Sequence, residues 1–212
     1  MMPLSIFSSR QFTAANLVTL AVYAALSGVF FLLASYLQIT VGYTPLEAGA
    51  ATLPVTLIML LLSARSGALA QRIGARLPLT VGPIVMAAGT LLMLRIDPGD
   101  PYATSVLPAG GVFGLGLPLV VAPVTATVLA AAAARHSGVA SGINNAVARV
   151  AGLIAVAVLP VVGGIAGDAF YGPGQLADGF EIAMVVSAGL LVIGAAIAWL
   201  TIDSHILEAE RS

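Results

Sequence analysis

The chain has 212 residues, 59% of them hydrophobic and only 8% charged, and its mean hydropathy of +1.06 excludes an ordinary soluble domain, in which about 25% of residues are charged. Eight cations, all arginine, against nine acids leave a net charge of −1, which excludes a general electrostatic attraction to nucleic acid. The absence of cysteine excludes disulfides, thiol catalysis and thiolate metal sites.

A bilayer core of about 30 Å takes about 20 helical residues. Six apolar runs of that order follow one another, at 13–39, 46–69, 78–95, 104–133, 138–166 and 180–202. They are apolar on every side, so they lack the alternation of barrel strands and predict an all-α membrane fold. The expected organisation is a cytoplasmic N-terminal segment at 1–12, a six-helix bundle at 13–202 and a cytoplasmic tail at 203–212. The first run exceeds a signal-peptide core of about 7–15 residues and is read as a retained span.

The first span carries Asn16, Tyr23, Tyr36 and Gln38, and ends at "VGYTP". The second closes on "RSGALAQRIGAR", which puts Arg65, Arg72 and Arg76 in or beside a short loop. The third runs to "RIDPGDP", and the fourth contains "GGVFGLGLP", whose small residues recur at helical spacing and suit close helix packing. The fifth begins with "GVASG" and continues through Asn144, Asn145 and Arg149. Asn145 and Arg149 are four residues apart and share a helix face, with Arg149 expected to point inward or towards the cytoplasmic interface. The polar groups of this span fit either interhelical hydrogen bonds or a water-filled gate. The third and sixth spans lack polar groups at their centres and are expected at the lipid-facing periphery, with Trp199 of the sixth as an interfacial anchor.

With six spans, Arg10, Arg72, Arg76, Arg135 and Arg211 fall on one side and only Arg95 on the other. The positive-inside rule then puts both termini in the cytoplasm. His136 and His205 are far apart, so no metal site is expected, and nothing in the sequence asks for a cofactor. No carboxylate lies near the middle of a span, where a proton-coupled carrier would hold one.

Several of these stretches carry a resemblance. Gly67, Leu69, Ala70, Arg72, Gly74 and Arg76 match the signature loop of the major facilitator superfamily, roughly G-x-L-a-D-R-x-G-R-R, with Gln71 where the pattern has aspartate. "FLLASYLQITVGYTPLEAGAATLP", "GLGLPLVVAPVTATVL" and "SGVASGINNAVARVAGLIAVAVLP" resemble the C-terminal half of its fourteen-span drug:proton antiporter branch, which includes multidrug exporters. The resemblance covers nearly the whole chain. It implies one half of a major facilitator fold, built of two inverted three-helix repeats. It also implies that Asn16, Tyr23, Tyr36 and Gln38, with the Gly114–Pro118 region, are cavity residues, beside the gate or packing candidates Asn144, Asn145 and Arg149 already read from the fifth span. Arg65, Gly67, Arg72, Gly74 and Arg76 form its cytoplasmic loop.

The function implied is proton-coupled export of drugs or other hydrophobic small molecules from a bacterial inner membrane. The expected partners are the lipid bilayer, the substrate, and an N-terminal half or second copy of the chain. A non-transporting fragment or scaffold is the alternative. An intramembrane serine protease is a remote one, raised by Ser141 in "GVASG", with His136 and His205 as the only histidines to serve as its base.

Overall fold

The computed structural model describes residues 9–132, 136–165, 167, 172–204 and 206, and among these every regular element is helical. Arg135, His205 and Arg211 lie outside the described residues. The helices are α1 (Arg10–Ile39), α2 (Pro45–Ala51), α3 (Leu53–Ile73), α4 (Arg76–Leu92), α5 (Val106–Gly116), α6 (Pro118–Ala130), α7 (Ser137–Val162) and α8 (Pro173–Thr201). A 3₁₀ turn, Met93–Arg95, extends α4. Six of the resulting segments are long and apolar enough to cross a membrane, with α2 joined to α3 and α5 joined to α6.

Local chemistry accounts for the ends and breaks. The Ser9 hydroxyl accepts from the Phe12 N–H at 3.3 Å and caps α1. Thr44 and Glu47 form a reciprocal capping box at the start of α2, with Pro45 in the first turn, where its missing N–H costs nothing. Pro118 has no N–H to donate, and the fourth span breaks at Leu117 between α5 and α6. The sixth span starts at Pro173, seven residues before the expected 180, in spite of the glycine and charge of "PGQLADG". Leu176 and Phe180 are buried there, and their packing overrides weak local propensity.

α1 forms the spine of the bundle. Its Phe12, Val18, Val22, Val29 and Leu32 are fully buried, and it packs against both α7 and α8. α8 continues onto α4, α4 onto α5, and α3 lies against α5 and α6. The third and sixth spans, expected at the lipid-facing periphery, each bury one face in the bundle and expose another, with Val81 and Ile84 bare on α4 and Val185 and Val192 on α8. Half of the apolar window of the third span and 44% of the sixth are buried, against 17% for the second and 22% for the fifth. The reason is that small residues, not polar ones, mark these contacts. A side chain on Gly89 of α4 would run into the backbone of Phe113 in α5, and one on Gly116 would lie 2.5 Å from the Gly82 carbonyl. α3 and α7 instead expose apolar rows, including Leu57, Leu60 and Leu61 on the one and Leu153, Ile154 and Val158 on the other. Gly138 and Gly142 of α7 likewise face open space rather than a neighbouring helix.

A groove between the first and seventh helices

Where α1 meets α7, a polar cluster comes first. The Asn144 amide of α7 donates to the Thr19 hydroxyl at 2.8 Å and to the Asn16 carbonyl oxygen at 3.3 Å, which uses both of its N–H bonds. Asn16 donates in turn to the Phe12 carbonyl and Thr19 to that of Ala15. Asn16 and Thr19 are buried, so Asn16 and Asn144 join helices rather than line a cavity.

Further along the same pair of helices lies a groove of about 570 Å³, lined by Tyr23 and Ser27 of α1 and by Asn145, Ala148, Arg149, Gly152, Leu153 and Val156 of α7. Its size is within the usual range for a small-molecule site, roughly 300–1,000 Å³. The two helices approach closely at Gly152, where an added side chain would sit 2.6 Å from the Ser27 hydroxyl. Arg149 stands twelve residues after Ser137 and thirteen before Val162, at the middle of α7. That puts the arginine about 18 Å along the helix. Tyr23 is likewise thirteen residues into the thirty-residue α1. The groove is therefore at mid-depth in the bundle, and Arg149 faces it exposed.

Other residues singled out in the sequence go elsewhere. Tyr36 is buried, donates its hydroxyl to the Ile96 carbonyl at 2.7 Å and stacks on Phe180 with ring centroids 4.2 Å apart. Gln38 is exposed near the end of α1 and donates to the Ala34 carbonyl. Gly114 packs on Val55 of α3, and Pro118 is buried at the break before α6. None of these four lines the groove. Ser27 and Gly152 do line it and were missed. Helical spacing was the available signal, because Ser27 is four residues after Tyr23 and Gly152 three after Arg149.

The arginine-rich loop meets the far end of the chain. Gly74 ends α3 with φ of 85°, a conformation suited to glycine, and the Ser204 backbone lies directly against it. Arg76 Nε donates to the Ile202 carbonyl at 2.6 Å, and Gln11 Nε2 donates to that of Thr201 at 3.0 Å. Gly67 approaches Ala122 of α6, Arg65 and Arg72 are exposed, and Arg65 borders a second recess with Ser66, Val85 and Leu115. At the opposite end of the bundle Tyr43, Glu47 and Tyr102 line a smaller cavity of about 360 Å³. Burial there raises the Tyr102 phenol above its ordinary range, with Tyr43 adding to the effect.

A bundle of six apolar helices, with a groove at mid-depth that sets four polar side chains in an apolar wall, defines a polytopic integral membrane protein. Its sequence matches the pattern of the Major Facilitator Superfamily over residues 2–156, and the chain belongs to that family. It is 31% identical over 199 residues to the puromycin resistance protein pur8 of Streptomyces alboniger, covering 88% of this chain and 40% of that protein. It is also 31% identical over 207 residues to the tetracenomycin C resistance and export protein of Streptomyces glaucescens, covering 90% of this chain and 38% of that one. With the multidrug resistance protein Stp of Mycobacterium tuberculosis it shares 31% over 159 residues, 75% of this chain and 29% of Stp. The chain thus spans between 29% and 40% of the lengths of these relatives.

Proposed function

We propose that the chain supplies the C-terminal half of a transport pathway that exports drugs or other hydrophobic small molecules by alternating access, in exchange for protons. The observation that carries this reading is the mid-depth groove with Tyr23, Ser27, Asn145 and Arg149 on its walls. Carriers of this architecture bind substrate near the bilayer midplane, between two halves that rock about it. The apolar rows left bare on α3 and α7 suit contact with an N-terminal half. The names of the relatives, which are resistance and export proteins, agree with this direction and class of substrate.

The setting is a bacterial inner membrane with both termini in the cytoplasm, following the arginine bias of the loops. Transport rather than catalysis is the activity. This reading follows the family to which the chain belongs; Ser141 is exposed near the start of α7.

The test is co-expression with the N-terminal half of the Streptomyces glaucescens relative in an efflux-deficient bacterium, following accumulation of tetracenomycin C. Lower accumulation with both polypeptides, abolished by an uncoupler and absent with either alone, is the expected result. Unchanged accumulation when the two co-purify as a complex would favour a non-transporting scaffold.

A further inference from the structure

Arg149 carries a guanidinium, and at the middle of a membrane-spanning helix a cationic side chain is costly unless something answers it. Among the described residues it has no hydrogen-bond or ion-pair partner. Every described carboxylate is far from its depth. Glu47, Asp97 and Asp100 lie in or beside the loops at one end, Asp178 and Glu181 in the first turns of α8, and Asp203 beyond its last turn. The groove that Arg149 lines also carries a phenol, an amide and a hydroxyl from Tyr23, Asn145 and Ser27, with Ala148, Leu153 and Val156 on its walls. This is one fixed positive charge with neutral hydrogen-bonding groups and an apolar wall.

Resting on the reading of the groove as part of a transport pathway, we infer that Arg149 makes it selective for amphipathic substrates that carry an anionic oxygen, with an aryl carboxylate as the simplest type. A guanidinium presents paired N–H donors that match a carboxylate in two parallel hydrogen bonds. Tyr23, Ser27 and Asn145 offer further donors, and the apolar wall accepts the ring. A cationic substrate would meet Arg149 as a like charge at low dielectric, so the groove discriminates by repulsion as well as attraction.

The experiment is calorimetric titration of the full chain, purified in an uncharged detergent, with 2-naphthoate and with its neutral methyl ester. The expected result is that naphthoate binds at least tenfold more tightly than the ester. Arg149→Gln should then erase that preference while leaving ester affinity within about twofold, and Arg149→Lys should restore part of it. Equal binding of acid and ester by the parent chain, or a preference that survives Arg149→Gln, overturns the inference. If both ligands bind equally and both are lost in Ala148→Trp, which fills the groove, the anion preference fails while the groove reading stands. If neither ligand binds, both fail.

Discussion

Arg76, at the start of α4, donates from Nε to the carbonyl of Ile202, just past the last turn of α8, at 2.6 Å. The final carbonyls of a helix have no partner within it, and a cation there meets both the free acceptors and the negative end of the helix dipole. Gln11 of α1 binds the same end twice, donating to the Thr201 carbonyl and accepting from the Asp203 N–H. The arginine-rich loop therefore does more than set topology: together with Gln11 of α1 it holds the end of the last helix.

Arg76→Gln should cost about 1.5–3 kcal/mol of stability, the range for a hydrogen bond to a charged group. Arg76→Lys should recover part, since it keeps the charge and loses the guanidinium geometry. Thermal unfolding of the detergent-solubilised chain measures both, and an unchanged midpoint in Arg76→Gln would show that the contact does not hold the helix.

The α4–α5 crossing gives a sharper contrast. An added methyl at Gly89 would overlap the Phe113 backbone, which cannot rotate away, whereas one at Gly111 meets nothing within 4 Å. Gly89→Ala should cost about 1–3 kcal/mol or more as an overpacked contact. Gly111→Ala should be neutral or slightly stabilising through helix propensity. The yields of monodisperse protein separate the two, and equal yields would contradict so close a crossing.

Six spans were legible in the sequence because hydrocarbon thickness imposes a length and a polarity that composition displays directly. Helix neighbours were not. In a membrane small residues bring helices together without any polar signal. Gly89 and Gly194 are such residues, the one against Phe113 and the other against Ala21 and Val22. The site was legible in part. The spacing of Asn145 and Arg149 put both on one face, and both line the groove. Tyr36 has the same composition as Tyr23 but another fate, because an acceptor sixty residues away, the Ile96 carbonyl, claims its hydroxyl. No local pattern announces a partner that distant.

Asn144 and Asn145 are adjacent yet serve different purposes, one bound to α1 and the other in the groove. Asn144→Leu should lower stability by about 0.6–1.7 kcal/mol, the measured span for interhelical hydrogen bonds in a membrane. It should leave ligand preference unchanged. Asn145→Leu should reverse the pattern, altering binding more than unfolding. A double-mutant cycle between Asn144 and Thr19 would report the coupling directly, and a coupling near zero would remove the cluster from the account of α1–α7 packing.

Orientation follows from charge. Arg10, Arg72 and Arg76 are at the end of the bundle that holds the start of α1 and the loop between α3 and α4, and Arg95 is at the other. Holding arginines on the cytoplasmic side during insertion sets the direction of the short loops, so the end carrying Tyr102 and Ala103 should face outward. The chain has no cysteine of its own, so single replacements can report this without background. Gln71 and Ala103 are both exposed, one in the last turn of α3 and the other between α4 and α5. In intact cells a membrane-impermeant maleimide should label Ala103→Cys at once and Gln71→Cys only after the membrane is opened. The reverse order would turn the whole bundle over. Because every span is fixed relative to its neighbours, it would also put the loop held by Arg76 and Ile202 outside the cell.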